Sequence, residues 1–312
     1  MIPASFDYHR PQNKRQALEL LGKAGGNGRV LAGGHSLIPM MKLRIAAPAQ
    51  LIDISRIGEL KGIAISGSEI EIGAMTTQHE LIASDSLAEA CPIIREAAHL
   101  IADPQVRYCG TIGGNVGNGD PGNDMPGLMQ CLNATYLIES TKGVRVVPAR
   151  SFYKGAYSTE LQDGELLSKI RFTAPPKGHG YAYKKLKRKV GDYATAAAAV
   201  ILQIADGKVS KASIALTNVA ETPLYAKDAC DRILGTALQP ADIDAAVAAA
   251  EAIARPAADG RGSVEYRTKM AGVMVRRALI EAAGRTSAAP AQPVAQDNKG
   301  HKGGGLFGWL KG

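Results

Sequence analysis

Thr111-Ile112-Gly113-Gly114-Asn115-Val116-Gly117-Asn118-Gly119-Asp120-Pro121-Gly122-Asn123-Asp124 is the stretch on which the reading of this chain turns, together with an earlier echo, Ala32-Gly33-Gly34-His35-Ser36. Both contain a diglycine beside an apolar segment; Gly28-Arg29-Val30-Leu31 precedes the first. Without a Cβ, such residues let backbone N–H groups turn outward and approach a ligand closely. A row of these donors suits a pyrophosphate. The second stretch closes on Asn123-Asp124 before Pro126, which reads as the N-cap and first turn of a short helix through Gln130, another anion-friendly end. A single diglycine is more often a plain surface turn; two of them shift the balance toward a ligand.

Standard nucleotide signatures fail. No G-x-x-x-x-G-K-[ST] occurs. Gly117-Asn118-Gly119-Asp120-Pro121-Gly122 fits G-x-G-x-x-G, but Pro121 sits inside it and no long helix or βαβ unit follows, so a Rossmann reading lacks its context.

A chain of 312 residues is long enough for about two domains, and 46% hydrophobic with 21% charged residues is ordinary globular composition. The opening Met1 to Arg10 is polar and broken by Pro3, which reads against a secretory leader, and the apolar run Ala194 to Leu202 is too short for a bilayer. The expected location is the cytoplasm. Cys91, Cys109, Cys131 and Cys230 form no C-x-x-C pair and the six histidines no ligand spacing, so neither an iron–sulfur cluster nor a zinc site is expected in this chain. The net charge of +8 concentrates in Lys184-Lys185-Leu186-Lys187-Arg188-Lys189 with few aromatics to stack bases, so nucleic acid is not expected. The plain reading of that run is a solvated basic face; the functional one brings some of its cations to a bound phosphate or an acidic partner.

Along the chain, Asn13 to Leu21 reads as a helix, followed by short strands at Arg29–Ala32, Leu51–Ile54, Gly62–Ile65 and Glu69–Ala74. Thr77-Gln78-His79-Glu80 has a capping-box pattern, and a helical run covers Pro92 to Ala102. Strands resume at Thr135–Ile138, Val144–Pro148 and Asp163–Phe172. Pro175-Pro176-Lys177-Gly178 marks a boundary. Strands around Tyr181–Leu186, Ala196–Ile204 and Ala212–Asn218 and helices near Pro240–Ala254 and Val264–Ala283 complete the body. Strict βαβ alternation is absent from this pattern, which predicts an α+β fold.

The pair Ala-Gly-Gly-His-Ser and Thr-Ile-Gly-Gly-Asn resembles the bipartite FAD signature of the medium, flavoprotein subunits of molybdenum hydroxylases, the xanthine dehydrogenase family. The wording of Leu31 to Met41, Ile101 to Leu132 and Gly178 to Ala199 is similar to the carbon monoxide branch of that family. The resemblance implies a two-part, PCMH-type FAD-binding domain over residues 1–176 and a C-terminal flavoprotein domain of antiparallel sheet plus helices over 177–285. It implies that Ala32, Gly33, Gly34, His35, Ser36 and Leu37 wrap the diphosphate from one side and Thr111, Ile112, Gly113, Gly114 and Asn115 from the other, mostly through backbone amides. Ile101 would be an apolar contact, Asp124 a partner for ribityl or ribose hydroxyls, and Leu166 and Lys185 weaker contacts by backbone and by charge. Tyr193 would lie against the flavin ring or serve as a core tyrosine.

No acid–base pair or nucleophile stands out, so the chemistry expected of this chain is the flavin's. The resemblance further implies partners: a large subunit holding a molybdenum cofactor with copper, a small subunit with two [2Fe–2S] clusters, a dimer of heterotrimers, and a quinone or quinone-linked acceptor. Rival readings are a flavin subunit serving a heterocycle or aldehyde hydroxylase, a free-standing flavin oxidase, and a cofactor-free basic interaction protein. The tail departs from the family: residues 286–312 read as a linker rich in Ala, Pro, Gln and Gly ending in Leu306-Phe307-Gly308-Trp309-Leu310, a short amphipathic end suited to docking on a membrane or partner, with fraying as the alternative.

Overall fold

A computed structural model describes residues 2–286, so the tail segment Leu306 to Gly312 lies outside the described residues. The chain begins with three short strands, Asp7–His9, Gly28–Leu31 and Gln50–Asp53, separated by helices Lys14–Ala24 and Leu37–Lys42. All pair in parallel with Gln50–Asp53 in the middle, where Ile52 sits opposite both His9 and Val30. Here strand and helix do alternate, against the expectation from sequence. Asp7-Tyr8-His9 is a mostly exposed edge without periodicity, and Leu37–Lys42 is under two turns long with Pro39 in its first turn, so neither carries a pattern signal. Asn13 caps the first long helix, its Oδ1 accepting the Gln16 N–H at 3.0 Å.

The second layer is a five-stranded antiparallel sheet in the order Ile63–Ser66, Glu69–Gly73, Leu166–Thr173, Thr135–Ser140, Gly143–Pro148. Between Gly73 and Thr135 the chain leaves the sheet and folds as a run of short helices, including Gln78–Ala83, Pro92–Leu100, Pro104–Cys109, Ile112–Gly117 and Asp124–Cys131. The capping box at Thr77 and Glu80 forms: Thr77 Oγ1 accepts the Glu80 N–H at 3.2 Å and Glu80 Oε2 accepts the Thr77 N–H at 2.6 Å.

The C-terminal sheet is antiparallel, ordered Gly180–Leu186, Ala196–Ala205, Lys208–Thr217, Leu224–Tyr225, and is backed by helices Lys227–Ile233, Pro240–Ile253 and Val264–Gly284. The apolar run from Ala194 to Leu202, with Thr195 in it, enters the second strand at Ala196. Ala197 and Ala199 face the core shared with the helices of the first half, whereas Ala196, Ala198, Val200 and Leu202 face the core under Val264–Gly284. A strand buried on both faces has no polar side to alternate with, hence the unbroken run. Among the described residues, no helix is long and apolar enough to cross a membrane.

Candidate functional site

The first diglycine connects strand Gly28–Leu31 to helix Leu37–Lys42. Gly34 has φ +76°, a left-handed conformation costly for a residue with a Cβ. A Cβ at Gly33 would lie 2.2 Å from the Cys109 carbonyl oxygen and 2.8 Å from Gly110 Cα. The turn is therefore pressed onto the backbone that leads into the second motif, and Ala32 Cβ would meet a Cβ at Gly114 at 3.6 Å. Two segments nearly eighty residues apart in sequence become one surface. The consecutive amides of Gly33, Gly34, His35, Ser36 and Leu37 find no acceptor among the described residues. Such a row of unpaired N–H groups is an anion-binding concavity. His35 is exposed beside it.

The second motif is built differently. Gly113 and Gly114 lie inside helix Ile112–Gly117, not in a turn, and four of the five amides expected to face a ligand, those of Ile112 to Asn115, are occupied. Ile112 N–H donates to Thr76 O at 2.9 Å, Gly113 N–H to Ala74 O at 2.8 Å, Gly114 N–H to Thr111 Oγ1 at 3.0 Å and Asn115 N–H to Thr111 O at 3.0 Å. This corrects the reading of the segment as an outward row of donors. Its glycines serve packing: a Cβ at Gly113 would lie 2.5 Å from Ala74 Cβ and 2.6 Å from its carbonyl oxygen. Asn115 ties the segment onward, its carbonyl accepting from Asn123 Nδ2 at 2.7 Å and its Oδ1 from the Met125 N–H at 3.1 Å, and so caps helix Asp124–Cys131 in place of Asn123.

Asp124 and Lys185 meet each other. Asp124 Oδ1 accepts the Tyr183 hydroxyl at 2.6 Å and Oδ2 accepts Lys185 Nζ at 2.7 Å. The two charged side chains are only 4% and 1% exposed, so the pair is an inner joint between the helical excursion and the C-terminal sheet, with Asp124 engaged by protein and not held free for hydroxyls. Burial, and then the Asp124 carboxylate, hold the Tyr183 phenol well above its usual pKa.

Ile101, 6% exposed, caps helix Pro92–Leu100, and its carbonyl accepts Arg107 Nη1 at 2.8 Å. Ala102 follows with φ +44°. Gly191 packs on this turn, where a Cβ would lie 3.9 Å from the Ala102 carbonyl carbon. Tyr193, two residues on, is 42% exposed, so it is not the core tyrosine of the plain reading. Its ring lies over Gly122, and burial of the phenol, then the Asp120 carboxylate, raise its pKa. Leu166 does not join this surface: it is buried among Leu18, Leu21 and Ile52.

Three residues near the site escaped sequence reasoning. Gln78 is 2% exposed with both side-chain amide atoms unpartnered, and its N–H is held by Gly110 O at 2.9 Å, next to the Gly33 contact. Arg107 and Lys187 gather with Lys185 at the end of helix Pro92–Leu100. Only Lys187 had a signal, its membership of the basic run.

A parallel-stranded lobe and an antiparallel sheet joined at two glycine motifs, followed by a helix-backed antiparallel sheet, define a flavoprotein module of molybdenum enzymes. Residues 4–175 match the family described as FAD binding domain in molybdopterin dehydrogenase, and residues 181–282 match the CO dehydrogenase flavoprotein C-terminal domain. The chain is 61% identical to the carbon monoxide dehydrogenase medium chain of Afipia carboxidovorans over 91% of its own length and 99% of that chain. It is 50% identical to the medium chain of Hydrogenophaga pseudoflava over 89% and 97%. The solved structure of reconstituted CO dehydrogenase from Oligotropha carboxidovorans superposes with a TM-score of 0.91 at 61% identity, covering 92% of this chain and all of that one. The chain belongs to the FAD-binding medium-chain family of the carbon monoxide dehydrogenases.

Proposed function

We propose that this chain carries FAD and works as the electron-relaying subunit of an aerobic carbon monoxide dehydrogenase. The observation that carries the reading is the row of unpaired amides from Gly33 to Leu37 lying on the backbone of the second glycine motif, which fits a diphosphate. Gly33 and Gly34 leave that row bare of side chains; Ala32, His35 and Ser36 frame it; Thr111, Ile112, Gly113, Gly114 and Asn115 form the rigid wall opposite. Ile101 and Tyr193 line the side toward the ring. Asp124 and Lys185 hold that wall from behind, and Leu166 lies in the core against which Val30 and Ala32 of the first motif pack. FAD, when bound, supplies the ability to accept electrons singly or in pairs. In this reading the electrons originate at the molybdenum and copper centre of a large subunit, arrive through the [2Fe–2S] clusters of a small subunit and leave to a quinone or quinone-linked acceptor. Carbon monoxide oxidation takes place in the large subunit.

Finer elements extend the reading. The complex is a dimer of heterotrimers, the cofactor domain spans residues 1–176 and the second domain 177–285, and Leu306 to Leu310 dock the complex on the inner membrane face, where several copies add avidity to a weak site. Native mass spectrometry of the purified complex, with flavin released and counted, tests the core of this: one FAD per medium chain beside a large and a small subunit is expected, and a colourless chain overturns it. Deleting Leu306 to Gly312 is expected to leave flavin content intact and lower co-sedimentation with membrane vesicles; unchanged co-sedimentation disposes of the anchor.

A further inference from the structure

Lys185 Nζ donates to Leu100 O at 3.3 Å, Lys187 Nζ to the same carbonyl at 3.4 Å, and Arg107 Nη1 to Ile101 O at 2.8 Å and Ala102 O at 3.3 Å. Lys185 is compensated by Asp124. Neither Lys187 nor Arg107 is ion-paired with a carboxylate among the described residues. Capping a helix end explains why cations gather there, but the end of a helix presents only about half a negative charge. With Asp124 and the helix end both counted, about one and a half positive charges remain in excess. The crowding is felt by Lys187, whose ammonium is pushed below the ordinary lysine range by burial first and then by Lys185 and Arg107, against the pull of Asp124.

Gly191, at the start of the loop bearing Tyr193, packs on Ala102, so the surplus charge sits beside the ring-side wall. Helix Pro104–Cys109 runs from this turn to Cys109, whose carbonyl lies under Gly33. At 1.5 Å rise per residue, its six residues set the turn that the cations cap roughly 9 Å from the Cys109 end under the amide row.

Resting on the reading that FAD lies with its diphosphate on Gly33 to Leu37, we propose that Lys187 and Arg107 form an anion site for the pyrimidine edge of the flavin. Two electrons from the small subunit's iron–sulfur clusters and one proton from solvent reduce the ring, leaving the proton on N5 and a negative charge shared by N1 and the C2 oxygen. Cations at that edge bind the reduced ring more tightly than the oxidised one and raise its potential. Lys187 and Arg107 are thus positioning groups for charge, and Lys185, already neutralised, is not.

Reductive titration of the holo-complex at saturating FAD against a reference dye tests this. Lys187→Met is expected to lower the preference for reduced flavin about tenfold, a fall of ~30 mV for a two-electron couple, while Lys187→Arg retains the wild-type potential. Arg188→Gln, at an exposed cation paired with Asp192, serves as control and is expected to leave the potential in place. An unchanged potential in Lys187→Met, an equal fall in Arg188→Gln, or loss of FAD affinity alike in both redox states overturns the proposal. A wild-type complex without FAD instead overturns the cofactor reading beneath it.

Discussion

The same dipeptide is put to opposite uses in the two glycine motifs. At Gly33-Gly34 the backbone amides stay unpaired among the described residues, whereas at Gly113-Gly114 they are consumed by Ala74 and Thr111. One motif offers hydrogen bonds, and the other spends them on holding itself still. Glycine is needed at Gly34 for its φ, at Gly33 because the Cys109–Gly110 backbone passes underneath, and at Gly113 because a helix is pressed on Ala74. A nucleotide site needs both kinds: donors that are free, and a surface too rigid to collapse onto them.

If the second motif is a structural joint, its damage should appear in stability before it appears in flavin affinity. The largest effect is expected at the joint's far end. Asp124→Asn leaves Lys185 buried without its counter-charge, at a cost of about 3–5 kcal/mol, and should sharply lower the thermal midpoint of the assembled complex. A midpoint equal to wild type would show that the pair is not needed to hold the wall.

Next come the glycines themselves. Gly33→Ala and Gly113→Ala each force a methyl group within 2.6 Å of backbone atoms and should cost about 3 kcal/mol, whereas Gly114→Ala meets only Thr111 Oγ1 at 2.9 Å and Ala32 Cβ at 3.6 Å and should cost under about 1 kcal/mol. Parallel thermal melts of the three variant complexes separate these, and equal midpoints for Gly113→Ala and Gly114→Ala would erase the distinction. A similarly small change in stability belongs to Gly34→Ala, about 1 kcal/mol for a left-handed alanine, with Ile38 Cδ1 able to move aside. Its effect on ligand linkage should be larger. Saturating FAD at a hundred times Kd stabilises a binding-competent chain by ~2.7 kcal/mol, and Gly34→Ala should lose much of that gain in melts with and without added flavin. Full retention would place the diphosphate elsewhere.

Much of this was legible. The capping box at Thr77 and Glu80, the Asn13 cap, the antiparallel C-terminal strands and the final helix follow from local rules that act within a few residues. The helix at Ile112–Gly117 was not, because three glycines in six residues argue against helix on propensity alone. It forms because Thr111 caps it and Thr76 and Ala74 take up its first amides, contacts made by a segment more than thirty residues earlier.

What the sequence determined by itself is the pair of motifs, the mixed α and β character and the family to which they point, since glycine content and short-range periodicity are properties of the chain before it folds. What only the tertiary structure decided is which motif keeps its amides free, that Asp124 and Lys185 neutralise each other across 61 positions, and that Lys187 and Arg107 are left as surplus charge. Hydrogen-bond saturation and charge compensation are sums over everything brought near a group, and those neighbours are assigned only when distant segments pack.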